Sequence, residues 1–100
     1  MTIFAISFRV HEGSTYEDRY ESLVKEIEKE ATGSTWEETT SFYIIESAQT
    51  TSKSLCDDLY NHSQIQESKD LLLVVNLSAK AYAQRGAKYP NTLKSLMDKR

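Results

Sequence analysis

From Thr2 to Val10 the chain reads Thr-Ile-Phe-Ala-Ile-Ser-Phe-Arg-Val, with its large apolar residues at every second position. Successive side chains of a strand point to opposite faces, so Phe4, Ile6, Phe8 and Val10 share one side and Ile3, Ala5, Ser7 and Arg9 the other. The pattern predicts a strand whose phenylalanine face meets helices. A chain of 100 residues has room for one domain and one core around that strand.

The rest of the chain alternates between the two periods. Tyr16, Tyr20, Leu23, Val24, Ile27 and Ala31 recur at helical intervals. Ser14 and Glu17 have the spacing of a capping box, and Gly33 is the expected stop. Two strands follow over 34–39 and 41–47, rich in aromatic and β-branched residues and joined near Thr39 and Thr40. Thr51 or Ser52 is expected to cap a second helix with an apolar stripe of Leu55, Cys56, Leu59 and Tyr60, and His62 to meet its last carbonyls. Leu71 to Leu77 is apolar on both sides, as an interior strand would be. Residues 78–89 fit no single period, and Pro90-Asn91-Thr92 can open a short terminal helix bearing Leu93, Leu96 and Met97.

The predicted order is strand, helix, strand, strand, helix, strand, an α+β class with the ferredoxin-like split βαβ arrangement. One such domain would span 1–100, with 78–100 as a C-terminal arm and short helix. Both helices would then lie on one sheet face. The other, with Ile3, Ala5, Ser7 and Arg9, is too apolar to be left in water and calls for a second copy or the C-terminal segment.

Composition narrows the classes of function. With 39% hydrophobic and 27% charged residues the chain can bury a core and is not a disordered segment. Its single cysteine, Cys56, excludes an intramolecular disulfide, and a reducing, cytoplasmic setting is expected. No stretch approaches the roughly 20 apolar residues that span a bilayer, so no membrane is expected. A net charge of -3 argues against a surface devoted to nucleic acid. Positive charge gathers late in the chain, at Lys80, Arg85, Lys88, Lys94, Lys99 and Arg100.

The opening Phe4-Ala5-Ile6-Ser7-Phe8, the helix with Tyr20 and Leu23, the strand with Trp36, Ser41-Phe42-Tyr43-Ile44-Ile45 and Leu72-Leu73-Val74-Val75 together resemble one group of small proteins. That group contains the second CRISPR-associated protein, the VapD toxins and the SinR-like proteins, and the likeness covers about residues 2 to 77. The resemblance implies a ferredoxin-like homodimer. In active relatives it implies a metal-dependent nuclease centred on an aspartate after the aromatic residue that ends the first strand. Here that position is Arg9, whose guanidinium is a permanent cation and cannot ligate a metal ion.

The remaining candidates are few. His11 and Glu12 lie just beyond the strand and could hold a divalent ion or act as acid and base, or could simply form a polar loop. Ser41 precedes the aromatic residue of the third strand. Asp57 and Asp58 are adjacent on a helix, about 100° apart, and do not converge. Tyr82, Arg85 and Lys88, with Lys80 and Tyr89, form the one stretch where cations and aromatic rings interleave, suited to nucleic acid, a nucleotide or a partner surface.

Three functions are therefore expected in order. The first is a catalytically degenerate, dimeric binding or scaffolding module without cofactor, with a protein partner or nucleic acid as its target. The second is a magnesium- or manganese-dependent endoribonuclease or toxin-like nuclease with an altered site at His11, Glu12 or Ser41. The third is nucleotide capture at the dimer cleft with Arg9 on the phosphate.

Overall fold

The structure is a computed structural model that describes residues 1–99; Arg100 lies outside the described residues. Its elements are β1 (Thr2–Arg9), α1 (Tyr16–Glu30), β2 (Ala31–Trp36), β3 (Phe42–Ser47), α2 (Ser52–Asn61), β4 (Leu71–Asn76), β5 (Ala81–Arg85) and α3 (Pro90–Asp98). The five strands form one sheet in the order β2-β3-β1-β4-β5, and every neighbouring pair is antiparallel. The fold is α+β.

The period of two in β1 has the predicted consequence. Phe4, Ile6 and Phe8 are almost completely buried and join Leu23 and Ile27 of α1, Leu55, Cys56 and Leu59 of α2, and Leu72 and Val74 of β4 in one core. Tyr43 and Ile45 of β3 stand opposite Ile6 and Phe4 and complete it from the neighbouring strand. Burial of this layer is the main force holding α1 and α2 on the sheet.

Several boundaries differ from the sequence expectation. The Ser14 and Glu17 capping box is not made, since Thr15 occupies the cap position without a side-chain cap bond. The Thr15 hydroxyl is engaged elsewhere, accepting from Arg19 Nε at 2.9 Å. Gly33 does not stop α1. The helix ends at Glu30 and the chain turns at Ala31 straight into β2, whose register shifts between Ala31 and Thr35. Gly33 falls within that irregular stretch, where an added Cβ would lie 2.7 Å from the Glu46 carboxylate. At α2 the expectations hold: Thr51 accepts from Ser54 N at 3.1 Å, and His62 N–H meets the Asp58 carbonyl at 3.0 Å.

The segment after β4 is not a free arm. Ala81 to Arg85 forms β5, paired along its length with β4. The next residue, Gly86, has φ +80, and a Cβ there would fall 1.9 Å from the Asp70 carbonyl oxygen. Only glycine fits both the backbone angle and the gap. This fixes where the chain leaves the sheet to form α3. No helix among the described residues is long and apolar enough to cross a membrane.

Candidate functional site

Arg9, His11, Glu12 and Ser41 lie around the end of β1, and a buried ion pair shapes that end. Arg19 lies one turn before Leu23 and two before Ile27, and these three are the buried residues of α1. A guanidinium on that stripe must find an anion, because an unpaired buried charge is too costly. Its partner is Asp70, just before β4; the side chains are only 2% and 1% exposed, and Arg19 Nη1 donates to Asp70 Oδ1.

The pair also captures backbone. Asp70 Oδ1 accepts from His11 N at 2.8 Å and Oδ2 from Gln66 N at 2.9 Å, while Arg19 Nη2 donates to His11 O at 2.7 Å. Burial pushes the Asp70 carboxyl up, but hydrogen bonds from Gln66, His11 and Arg19 outweigh it and hold it below the ordinary value. The segment after β1 is thereby tied by its main chain, and the side chains of His11 and Glu12 point to solvent. Sequence reading missed Arg19 and Asp70, although the Arg19-Leu23-Ile27 spacing was a usable signal.

Glu12 lines an open groove of about 610 Å³ with Gly13, Ser14, Tyr16, Glu17 and Asp18. Tyr16 separates this acidic groove from a cleft of about 560 Å³ lined by Phe8, Arg9, Tyr20, Thr40 and Ser41 as well. The rings of Tyr16 and Tyr20 stack at 5.9 Å, and Tyr20 in turn packs on Phe8 at 5.8 Å. Ser41 is held by its backbone, whose carbonyl accepts from Phe8 N at 3.1 Å. The structure thus brings Arg9 and Ser41 together and places His11 and Glu12 beside them on a separate loop. Among the described residues no three His, Cys, Asp or Glu side chains are grouped to hold a metal ion. The groove beyond Tyr16 carries Glu12, Glu17 and Asp18 and disfavours an anion there.

The late basic and aromatic stretch does not form one surface. Arg85 stands opposite Leu72 and Tyr82 opposite Val75, so the two project from opposite faces of β5. Arg85 is already engaged: it donates to Asp57 at 3.1 Å, lies 3.8 Å from Glu67 and sits 4.4 Å above the Tyr60 ring. It joins β5 to α2 rather than offering a free cation. The hydrogen bonds from Lys53 and Arg85 lower the Asp57 carboxyl.

Lys88 lies elsewhere, 5.5 Å from the Tyr89 ring, on the wall of a hollow of about 320 Å³ between the sheet and α3. The floor of this hollow is Leu71 and Leu73, its sides are Ala87, Tyr89 and Leu93, and its second cation is Arg9. Arg9 therefore borders two cavities, one on each side of the strand end. Comparison of the chain with family models, with curated proteins and with solved structures returns no match.

Proposed function

We propose that the chain is a non-catalytic binding module that associates with a second copy through its exposed sheet face, a degenerate relative of the group it resembles. The order β2-β3-β1-β4, with α1 and α2 on one side, supports reading the first four strands as a ferredoxin-like unit, with β5 added at the edge.

The observation that carries the proposal is the composition of the face turned away from α1 and α2. By alternation and register the half of this face away from α3 bears Ile3, Ala5 and Ser7 of β1, Phe42 and Ile44 of β3, Val75 of β4 and Trp36 of β2, with Glu46 beside Ile3, while Leu71, Leu73 and Gln84 lie toward α3 and β5. Trp36 is 40% exposed and packs edge-on against Phe42 at 6.1 Å. Next to them Ile3, Trp36 and Ile44 line a shallow groove of about 360 Å³. α3 approaches only the opposite half, where Leu93 meets the hollow over Leu71 and Leu73. Such a largely apolar face, broken by Ser7 and Glu46, is unusual on a monomer and is the material of an interface. A second copy supplies the same face and satisfies both at once, as two-fold pairing requires.

Sedimentation velocity over a wide concentration range tests this reading. A dimer in the wild type and a monomer in Ile44→Lys is expected, and a wild type that stays monomeric at high concentration overturns it. The degenerate reading has its own test. Clean protein that cleaves RNA or DNA with magnesium or manganese, and loses that activity with EDTA, would show that Arg9 has not abolished catalysis.

A further inference from the structure

We propose that the hollow between β4 and α3 binds a compact apolar carboxylic acid, a ligand class that goes beyond self-association and does not depend on it. Two features of the hollow point the same way. Its floor and lid are aliphatic, from Leu71, Leu73 and Leu93, with Tyr89 on one side. Its charged groups are both cations, Arg9 and Lys88, and no carboxylate lines it.

Neither cation has a carboxylate partner among the described residues, whereas Arg19, Lys53, Arg85 and Lys94 all do, and Lys88 rests 5.5 Å from the Tyr89 ring. Both side chains are exposed at the rim. A guanidinium offers a planar fork that matches a carboxylate in two parallel hydrogen bonds, and an ammonium adds a point charge. An apolar side chain from a second copy would fill the floor but leave both cations unanswered. Charge complementarity therefore selects an anionic head with an apolar body. A volume of about 320 Å³ is at the small end for ligand pockets, which suits a medium-chain or small aromatic acid and not a nucleotide.

The position of the hollow also makes it accessible. α3 has no buried residue, and it follows Gly86, whose backbone passes so close to the Asp70 carbonyl that a Cβ would not fit. The lid is thus lightly packed, an arrangement that admits a small molecule without opening the core.

Amide NMR titration of the full chain with octanoate, naphthoate and octanol tests the proposal. Saturable shifts at Leu71, Leu73, Ala87 and Leu93 are expected with at least one acid, and whichever acid binds more tightly identifies an aliphatic or an aromatic body. Octanol should bind roughly tenfold more weakly, the loss expected for a missing charged hydrogen bond. Arg9→Gln and Lys88→Gln should each weaken the acid and leave octanol unchanged, and Leu93→Trp, which fills the hollow from an unburied helix, should abolish both. Equal affinity for acid and alcohol, no saturable shift with either acid, or shifts that disappear as the protein self-associates would each overturn it. Sedimentation of the same samples reads the dimer separately, so failure of one proposal is not failure of the other.

Discussion

Arg19 and Asp70 are 51 residues apart in sequence and meet in a buried ion pair that joins α1 to the loop before β4. Removing one partner strands the other in a dry site, which costs about 3–5 kcal/mol. Asp70→Asn and Arg19→Met are expected to lose that much in urea unfolding. Arg19→Met/Asp70→Asn together should lose less than the sum of the two, because the double variant leaves no lone charge.

The same pair gives the fold an acid limit. The folded Asp70 carboxyl lies below its ordinary value, so its contribution is present above the unfolded pKa of about 3.9 and is lost as pH falls through the folded value. Unfolding free energy measured against pH should decline below about pH 4, and this part of the decline should be missing in Asp70→Asn.

Glu30 works in the opposite direction. Gln49 Nε2 donates to Glu30 at 3.2 Å and to Asp58 at 2.5 Å, holding two carboxylates near each other. Burial raises the Glu30 carboxyl, and Asp58 and Glu26 add to the rise against the lowering hydrogen bond from Gln49. A raised folded value stabilises the protonated state, a benefit present below the unfolded pKa and lost as pH rises through the folded one. Glu30→Gln should therefore stabilise the protein at pH 7, by under about 1 kcal/mol at this half-buried site. The gain should vanish near pH 4. Parallel thermal melts at the two pH values decide it.

Two glycines should respond differently to alanine. At Gly86 a Cβ would collide with the Asp70 and Glu67 carbonyls on a backbone of φ +80, and Gly86→Ala is expected to cost about 2–4 kcal/mol from strain and overlap together. At Gly13 a Cβ would only touch Arg19 Nη2 at 3.7 Å. Gly13→Ala should stay within about 0.5 kcal/mol of wild type.

Cys56 faces the core between α2 and the sheet, and burial pushes its thiol up to about 11. At pH 8 roughly a thousandth of the folded protein carries a thiolate there, so a disulfide reagent should modify it only through opening of the fold. Stability should also fall between about pH 9 and pH 11, where the unfolded thiol ionises and the folded one does not. Cys56→Ser should remove the thiol's share of that decline, and native labelling as fast as labelling in urea would contradict the burial.

What the sequence disclosed followed from local periodicity. β1, α1, α2 and β4 repeat their apolar residues at strand or helix spacing over long enough stretches to be read, and Thr51 and His62 sit where caps are expected. β5 was not legible because Ala81-Tyr82-Ala83-Gln84-Arg85 has no β-branched residue and becomes a strand only by pairing with β4. The fate of Arg85 was hidden for the same reason, since Asp57, Tyr60 and Glu67 reach it only through the fold. Arg9 and Lys88 share a wall that no local pattern announces.

The irregular edge at β2 has a consequence for how assemblies of this chain can grow. Ala31 to Trp36 carries no charged residue and borders the sheet on the side opposite β5, where an exposed backbone could recruit strand after strand without end. The slip in register between Ala31 and Thr35, held by Thr32 Oγ1 donating to Glu46 O at 3.2 Å, breaks the even row of donors and acceptors that such recruitment copies. An edge with such a break is a poor template for adding a further strand, and β2 closes its side of the sheet without any charged residue to guard it.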